Sequence, residues 1–397
     1  MRRVFAGGTV VAPDGSTAVA DVLIEGDRIV DVGSGLDGDE AVDVSGKHLL
    51  PGLFDCHIHL ALAHIDFIKH ARTPPGYRYF AAIDSMERTL RTGITTVRDA
   101  GGTDRGTKQA VAEGLIAGPR MQISIGMLSQ TGGHGDSCLP GGGRLFPYST
   151  VTHPRTLVDG PEEMRVAVRR LVRAGADVIK VATSGGVLSP EDDPTHAHFA
   201  MDELNMLVAE ANAAHIAVMA HAQATDGIKN AIRAGIRSID HGIYLDDEAI
   251  EMMLDAGTWL VPTLIAPRGV IRAAETGVPI PESSLRKAAD VTAAHDESFS
   301  RAVAAGVKVA MGTDCPVSPH GTNLEEVELM IAGGLTAGEA LYATTASGAE
   351  LMGLQDDLGS IEPGKLADVV VVDGDPLDFG SLKGNITEVW KAGVRVV

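Results

Sequence analysis

A short junction between a helix and a strand recurs through the middle of this 397-residue chain. At each repeat, a predicted helix ends in a small residue followed by glycine, and a run rich in β-branched residues comes next. Glycine adopts the left-handed conformation that closes a helix without strain from a Cβ atom. The repeat therefore predicts helices and strands that alternate along the chain. The clearest junctions are Arg91-Thr92-Gly93, Arg173-Ala174-Gly175, Ala234-Gly235, Ala256-Gly257 and Ala305-Gly306.

The number of strands between these junctions narrows the fold class. Eight βα units in one domain of about 300 residues are typical of a (β/α)8 TIM barrel. A doubly wound open sheet is the alternative, but no Gly-X-Gly-X-X-Gly follows the first strand. We therefore predict an α/β fold in which residues 54–357 form a TIM barrel. The eight strands are predicted to end near His59, Ala100, Leu128, Thr183, Ala222, His241, Leu264 and Asp314.

The two ends of the chain have a different pattern of apolar residues and turns from the middle. Residues 1–53 contain short alternating runs separated by turns such as Pro13-Asp14-Gly15, which is typical of β-strands. Residues 358–397 show the same pattern, including the run Val369-Val370-Val371-Val372. We predict that residues 1–53 and 358–397 together form a small β-sandwich domain.

Charge and cysteine content exclude several classes of partner. The formal net charge is −20 at pH 7, and no basic stretch is present, which argues against nucleic acid and anionic membranes. No apolar run approaches the roughly 20 residues that a membrane span needs. Three cysteines, Cys56, Cys138 and Cys315, are too few for a disulfide framework, and the N-terminus shows no apolar signal region. We expect a cytoplasmic protein that acts on a small-molecule substrate and assembles as a homo-oligomer.

Polar residues collect at the predicted strand ends, where the active sites of such barrels lie. His57 and His59 are two residues apart in an apolar strand, so their imidazoles project to the same side, as two metal ligands would. Taken singly, each polar residue is more simply a satisfied structural side chain. Six such groups at equivalent depth are too costly to bury without a function. The six are His57, His59, Lys180, His221, His241 and Asp314.

Lys180 is unusual because it lies between Ile179 and Val181 in a strand. Beside metal cations it cannot remain an ammonium ion, and the neutral amine can add carbon dioxide to form a carbamate that bridges two metals. The alternative is a lysine that reaches the rim or pairs with a carboxylate.

The set His57-X-His59, Lys180, His221, His241 and Asp314 resembles the amidohydrolase superfamily of binuclear metal-dependent hydrolases. The resemblance covers nearly the whole chain, with residues 358–368 similar to the family's return segment into its β-sandwich. Three segments are most similar to the prolidase, arginine/lysine carboxypeptidase-type and imidazolonepropionase-like branch. They are Val97 to Gly102, Thr131 to Asp136 and Asp240 to Tyr244.

The resemblance implies two divalent ions, with zinc expected because imidazole ligands suit it. His57, His59 and Asp314 would hold the more buried ion, His221 and His241 the second, and N6-carboxylated Lys180 would bridge them. A hydroxide between the metals would be the nucleophile, and Asp314 would act as general base and acid. His134 would polarise the scissile carbonyl.

Three side chains are predicted to contact substrate. Tyr244 and His134 are candidate catalytic and substrate-binding residues, against the alternatives of a packed rim aromatic and a mobile loop histidine. Arg98 would pair with a substrate carboxylate, or it would form a structural salt bridge below the site. Tyr77, Tyr79, Tyr148 and Arg268 are further candidates to reach the pocket, while His196 and His198 are read as loop residues.

These inferences predict a hydrolase that cleaves the amide bond of a dipeptide or N-acyl amino acid with a free carboxylate. The enzyme class would be a dipeptidase or carboxypeptidase, or an N-acyl amino acid amidase. Hydrolysis of a cyclic amide, a urea or carbamate, or a bulky aryl amide at the same site is the alternative. A non-catalytic scaffold barrel is a more remote one.

Overall fold

A computed structural model of the chain describes residues 1–139, 141–145, 149–189 and 191–397. The candidate pocket residue Tyr148 lies outside the described residues. The strands are β1 (Arg2–Ala6), β2 (Thr9–Val11), β3 (Thr17–Val19), β4 (Asp21–Glu25), β5 (Arg28–Gly33), β6 (Glu40–Asp43), β7 (His48–Pro51), β8 (Leu53–Ile58), β9 (Ile94–Asp99), β10 (Arg120–Ile123), β11 (Met127–Leu128), β12 (Val178–Ala182), β13 (Ala217–Ala222), β14 (Ser238–His241), β15 (Trp259–Val261), β16 (Val369–Val372), β17 (Ile386–Lys391) and β18 (Val394–Arg395).

The helices alternate with the central strands, as the repeated junction predicts. They are α1 (Phe67–Arg72), α2 (Tyr77–Leu90), α3 (Arg105–Ala112), α4 (Pro161–Ala174), α5 (Met201–Ala213), α6 (Thr225–Ala234), α7 (Asp247–Ala256), α8 (Ile265–Glu275), α9 (Glu282–Ala305), α10 (Leu324–Ala332), α11 (Ala337–Thr344), α12 (Ala346–Leu351) and α13 (Phe379–Asn385). None of the helices in the described ranges combines the length and hydrophobicity that crossing a bilayer requires.

Helix α4 shows how local sequence sets the helix limits. Pro161 occupies the first turn, where its missing N–H group is no loss, and Glu162 and Glu163 complement the positive end of the helix dipole. Gly175 ends the helix with φ of 97°. Buried residues between these limits, such as Met164 and Leu171, recur at helical spacing and face the strands. The same left-handed glycine ends α6, α7 and α9.

The central strands form two parallel sheets, one ordered β10-β9-β8 and one ordered β11-β12-β13-β14-β15. Residues 309–315 lie between the sheets' outer strands: Ala310 N donates to Leu260 O at 3.0 Å, and Cys56 N donates to Met311 O at 2.8 Å. The predicted parallel α/β architecture is therefore confirmed. One continuous closed sheet is not observed among the described residues, because β10 and β11 belong to different sheets and the eighth strand is reduced to isolated bridges at Cys315 and Val309.

The chain ends meet in a separate set of strands. One four-stranded sheet has the order β5-β4-β1-β6, and a six-stranded sheet, β18-β17-β16-β7-β2-β3, mixes both ends of the chain. Strand β16 pairs antiparallel with β7, and Phe5, Leu49 and Trp390 share one buried apolar cluster. The division of the chain into a barrel domain and a terminal sandwich domain stays a prediction.

Candidate metal centre and active site

The six predicted ligands lie on or just beyond the carboxyl ends of the central strands. Parallel strands place these ends at one edge, so residues far apart in sequence come together. Four of the side chains are buried, and His59 and Asp314 are half-buried. We call the six the strand cluster: His57 on β8, His59 just after it, Lys180 on β12, His221 on β13, His241 on β14 and Asp314 in residues 309–315.

His57, His59 and Asp314 converge most tightly. Their ligand atoms all lie within 4.8 Å of one another. Asp314 Oδ1 is 3.3 Å from His57 Nε2 and 3.1 Å from His59 Nε2. His59 Nδ1 is 2.9 Å from Gly101 O, and donating to that carbonyl directs Nε2 toward the cluster. Two imidazole nitrogens and one carboxylate oxygen form a donor set that suits a divalent transition-metal ion.

His221 and His241 lie beside this group. Their ring centroids are 4.6 Å apart, and the centroid of His241 is 5.1 Å from that of His57. Burial, together with nearby positive charge, holds the pKa of both imidazoles well below their ordinary value. Both rings therefore stay neutral, which is the form that binds metal. The two rings are placed where they could hold the second metal ion that the sequence predicts.

Two residues of the strand cluster have left-handed backbones. The φ angles are 75° at His241 and 60° at Asp314. A non-glycine residue in such a region costs on the order of 1–3 kcal/mol and persists where the surrounding structure enforces it. Both strained positions, His241 and Asp314, direct a polar side chain toward the same pocket.

Beneath the cluster lies a carboxylate that the sequence reasoning did not select. Asp240 Oδ2 is 2.6 Å from Lys180 Nζ and 2.9 Å from His57 Nδ1, and Asp240 Oδ1 is 3.2 Å from Arg98 Nη2. Burial raises the pKa of Asp240, but the charges of Lys180, Arg98 and His57 lower it more, to well below its ordinary value. Burial likewise lowers the pKa of Lys180, against the opposing charge of Asp240.

These contacts bear on two predicted roles. Arg98 is buried, with its Nε donating to Cys56 O at 2.7 Å and its Nη2 paired with Asp240. This is a salt bridge of the kind that the alternative interpretation describes, and contact of Arg98 with a substrate carboxylate stays a prediction. Lys180 is paired with a carboxylate here, which is also the alternative to the bridging carbamate.

A pocket opens above the strand cluster. His134, His221, Gln223, His241, His295 and Asp314 line its polar side. The other side, which we call the apolar wall, comes from the loop after β12, from α8 and from positions near the strand ends. It consists of Val187, Leu188, Ile243, Ala266, Pro267, Val270 and Val317.

His134 is held over the second pair of imidazoles. Its ring stacks on His221 with centroids 4.1 Å apart and planes 13° from parallel. Its Nδ1 is 2.7 Å from Ser189 Oγ. The predicted position of His134 beside the reacting carbonyl is compatible with this arrangement.

Other candidate residues lie away from the pocket lining. Tyr244 is half-buried and packs against the apolar cluster around Ile243 and Val291. Tyr79 donates to Asp104 Oδ2 at 2.9 Å, and Arg268 pairs with Asp296 at 2.7 Å. Tyr77 is exposed on α2. Tyr244, Tyr79 and Arg268 therefore have structural partners outside the pocket.

Gln223 and His295 line the pocket and were missed by the sequence reasoning. Gln223 is buried, and no donor among the described residues reaches its Oε1. His295 Nε2 lies 2.9 Å from His241 O and 2.8 Å from Pro262 O, so one N–H group supports the strained ligand position. The His221-X-Gln223 spacing would have indicated Gln223, whereas His295 comes from a distant helix.

Comparison with known proteins places this geometry in a family. The chain is 34% identical to ochratoxinase of Aspergillus niger over 97% of its own length and 85% of that protein. It matches a solved Xaa-Pro dipeptidase with bound methionine, with 31% identity, a TM-score of 0.90, and coverage of 100% of this chain and 99% of that one. It also matches a prolidase complexed with N-methylphosphonate-L-proline, with 35% identity, a TM-score of 0.94, and the same coverage.

The family model for the amidohydrolase family matches residues 48–396, which include every residue of the strand cluster. The resemblance drawn from the sequence, including its prolidase-like neighbours, is confirmed. A family of hydrolases acting on amide bonds also agrees with a small-molecule substrate. The chain belongs to the amidohydrolase family.

Proposed function

We propose that this protein is a metal-dependent hydrolase that cleaves the amide bond of a dipeptide or an N-acyl amino acid. The observation that carries the proposal is the convergence of His57, His59 and Asp314 on one point, next to a pocket lined by His221, His241 and apolar side chains. Similarity to a Xaa-Pro dipeptidase, a prolidase and ochratoxinase supports an amide substrate with an amino-acid part.

The residues present fit two divalent metal ions, zinc being the first choice for an imidazole-rich site. His57, His59 and Asp314 would hold one ion, and His221 and His241 the other. When bound, the ions would acidify a water molecule and draw electron density from the substrate carbonyl.

Lys180 is proposed to bridge the two positions as a carbamate. Its amine nitrogen would bond to the carbon of carbon dioxide and lose a proton, giving an anionic carboxylate at the tip of the side chain. Burial supports this step because it lowers the pKa of Lys180 and favours the neutral amine that carbon dioxide requires. The ion pair with Asp240 opposes it, so the carbamate must displace that 2.6 Å contact.

Asp314 and His134 are proposed to move and stabilise charge. Burial raises the pKa of Asp314, but His57 and His59 lower it by more than burial raises it. The net pKa lies well below its ordinary value, so the carboxylate stays ionised. An ionised carboxylate at this position can accept a proton from the attacking water and return it to the leaving nitrogen. His134, stacked over His221, would donate a hydrogen bond to the carbonyl oxygen as negative charge develops there.

The two sides of the pocket suggest how a substrate would lie. The apolar wall favours a bulky apolar group on one side of the scissile bond. On the other side, the unpartnered Oε1 of Gln223 is available to a substrate N–H group, and the rest of its amide to a carboxylate. His134 is the other polar group within reach of a carboxylate, whereas the hydroxyl of Tyr244 would need to turn toward the pocket.

A second candidate function has its own support. Among the pocket-lining residues that the structure describes there is no Lys or Arg, and Arg98 is engaged by Asp240. A pocket without a free cation favours a substrate without a carboxylate. Hydrolysis of a neutral apolar amide, a cyclic amide or a urea is therefore the alternative proposal.

One pair of substrates separates these two functions. An N-acyl amino acid and its C-terminal amide differ only in the negative charge. If the carboxylate is recognised, kcat/KM for the amidated form should fall by about tenfold or more, as expected for a lost charge-assisted hydrogen bond. Equal rates for the two forms would reject carboxylate recognition and favour the second candidate. No cleavage of either form by metal-loaded protein would reject both.

We further propose that the two parallel sheets belong to one (β/α)8 barrel spanning residues 54–357. Hydrogen bonds from residues 309–315 to both outer strands support this, as does the gap of only three residues between β10 and β11, which pair with opposite sheets. Pairing of β16 with β7 supports a terminal sandwich made of residues 1–53 and 358–397.

A further inference from the structure

The loop that follows β12 folds back over His134. Within it, Ser189 Oγ lies 2.7 Å from His134 Nδ1 and donates a short hydrogen bond to Asp192 Oδ1. Asp192 Oδ2 is itself 3.4 Å from His134 Nδ1 and accepts from Gly186 N at 3.0 Å. The side chain of Asp192 is only 3% exposed. A buried carboxylate thus lies next to the histidine that we place beside the scissile carbonyl.

The direction of these hydrogen bonds follows from the partners. Asp192 can only accept while ionised, so the Ser189 hydroxyl donates to it. The oxygen of Ser189 is then free to accept, and His134 Nδ1–H is the donor beside it. With Nδ1 occupied in this way, Nε2 is the nitrogen of His134 left for the pocket. A ring with a proton on each nitrogen donates through both, to Ser189 at Nδ1 and toward the substrate at Nε2.

Lys287 of α9 ties the same loop to the protein body. Its Nζ donates to Ser189 O at 2.7 Å, to Asp192 O at 2.5 Å and to Gly186 O at 3.2 Å. One ammonium group therefore holds three backbone carbonyls of a single loop. The same Nζ also lies 3.4 Å from Asp192 Oδ1, so Lys287 fixes both Ser189 and Asp192 in place.

Gly186 packs closely against the His134 ring. A Cβ atom on Gly186 would clash with the imidazole ring of His134. The ring is thus enclosed by His221 on one face, by Gly186 at its edge, and by Ser189 and Asp192 at Nδ1.

We propose that Asp192 is a positioning residue that acts through His134: with Ser189, and with Lys287 locking the loop, it holds the His134 ring over His221 with Nε2 presented to the substrate carbonyl. The inference rests on the proposed amide hydrolysis and adds to it the residues that set the orientation of the His134 ring.

A double-mutant cycle tests this relation. We expect His134→Ala to lower kcat by about a hundredfold, as for loss of one donor to a developing oxyanion. Asp192→Asn keeps the size but leaves one acceptor oxygen for two donors, Ser189 and Gly186 N, so the His134 ring is held less firmly. It should lower kcat by about tenfold with KM within about twofold, since it acts on the chemical step. In the His134→Ala background the same change should cost less than about twofold, because its target is gone.

The controls come from the same loop and helix. Asp193→Asn changes the neighbouring carboxylate, which contacts Thr195 instead of His134, and should leave kcat unchanged. Lys287→Met should lower kcat in the wild-type background, whereas Arg286→Met, at an exposed position of the same helix, should not. If Asp192→Asn lowers kcat equally with and without His134, or leaves kcat unchanged in the wild type, the proposal is wrong.

A measurement without substrate keeps this inference separate from the proposed function. In protein labelled with 15N-histidine, the Nδ1 resonance of His134, assigned by its loss in His134→Ala, should shift in Asp192→Asn and stay in place in Asp193→Asn. An unshifted resonance in Asp192→Asn would overturn the positioning role. A shifted resonance in a protein that hydrolyses no amide would support the positioning role and reject the proposed function.

Discussion

The strand cluster, through His221, His241 and Asp314, lines the same pocket as the apolar wall, but the two are built in opposite ways. The strand cluster consists of titratable side chains at strand ends, each held by other polar groups, such as Asp240 below His57 and Gly101 beside His59. The apolar wall consists of side chains from a loop, a helix and strand termini, without polar atoms. The first arrangement fixes which reaction is possible, and the second fixes which substrate fits. We therefore expect substitutions in the two regions to affect different kinetic constants.

Two buried carboxyl groups show what the polar surroundings contribute. Asp240 is surrounded by Lys180, Arg98 and His57, and its pKa lies well below its ordinary value despite burial. Glu326 is equally buried, and among the described residues its carboxylate accepts hydrogen bonds from the backbone of Leu264 and Ile265 only, so burial raises its pKa to about 8. Burial alone thus favours a neutral acid, and Asp240 below the strand cluster and Asp314 within it stay charged because cations and imidazoles surround them.

The largest effect is expected in the strand cluster. Asp314→Asn removes both a metal ligand and the proposed proton acceptor, so kcat should fall by at least about a thousandfold, of the order seen when a main catalytic group is removed. Thermal unfolding should change little, since Asp314 is half-buried and its backbone conformation suits asparagine. Asp357→Asn, at an exposed ion pair with Arg28, is the control and should retain full kcat. If Asp314→Asn changes only KM, the strand cluster would not control the chemical step, and the proposed division between reaction and substrate fit would be wrong.

A smaller and more selective effect is expected in the apolar wall. Val270→Ala removes apolar contact area at the pocket, so kcat/KM for a substrate with a bulky apolar acyl group should fall by about three- to tenfold, the range expected for one or two methyl groups in a hydrophobic pocket. The N-acetyl analogue, which does not reach the wall, should be cleaved at an unchanged rate. Ile271→Ala, next on the same helix and outside the pocket lining, controls for loss of packing. Equal losses for both substrates would show that the wall does not select the acyl group.

Strand periodicity explains what could be predicted from the sequence. His57 and His59 share a side because side chains alternate along a strand, and the glycine junctions mark helix ends whatever their surroundings. Both signals are local. The parallel α/β architecture and the positions of the strand cluster at strand ends follow from such signals. The cluster in strand order carries the resemblance to the family, and the match to the family model shows the membership.

The remaining features depend on contacts between distant segments. Asp192 and Lys287 are 95 residues apart, and only the fold of the loop after β12 brings them together. The contacts of Asp240 with Lys180 and His57 join distant strands, so its position beside His241 in the sequence does not indicate them. Arg98 is ambiguous from the sequence because a residue at a strand tip can turn toward the pocket or away from it. Tyr244 lies three residues after His241, yet packing against Ile243 and Val291 keeps it out of the pocket lining. Tertiary packing decides these cases, and periodicity carries no information about them.

Metal content per chain, followed while activity is restored, is the decisive measurement for the proposed centre. The protein is stripped with a chelator, zinc is added back in steps, and bound metal and amide hydrolysis are measured on the same samples. We expect activity to be lost on stripping and to return as the content approaches two ions per chain, with Lys180→Ala failing to bind the full complement. Full activity reproducibly reached near one ion per chain, without gain on further addition, would contradict the two-metal centre, and full activity in metal-free protein would contradict metal-dependent hydrolysis altogether.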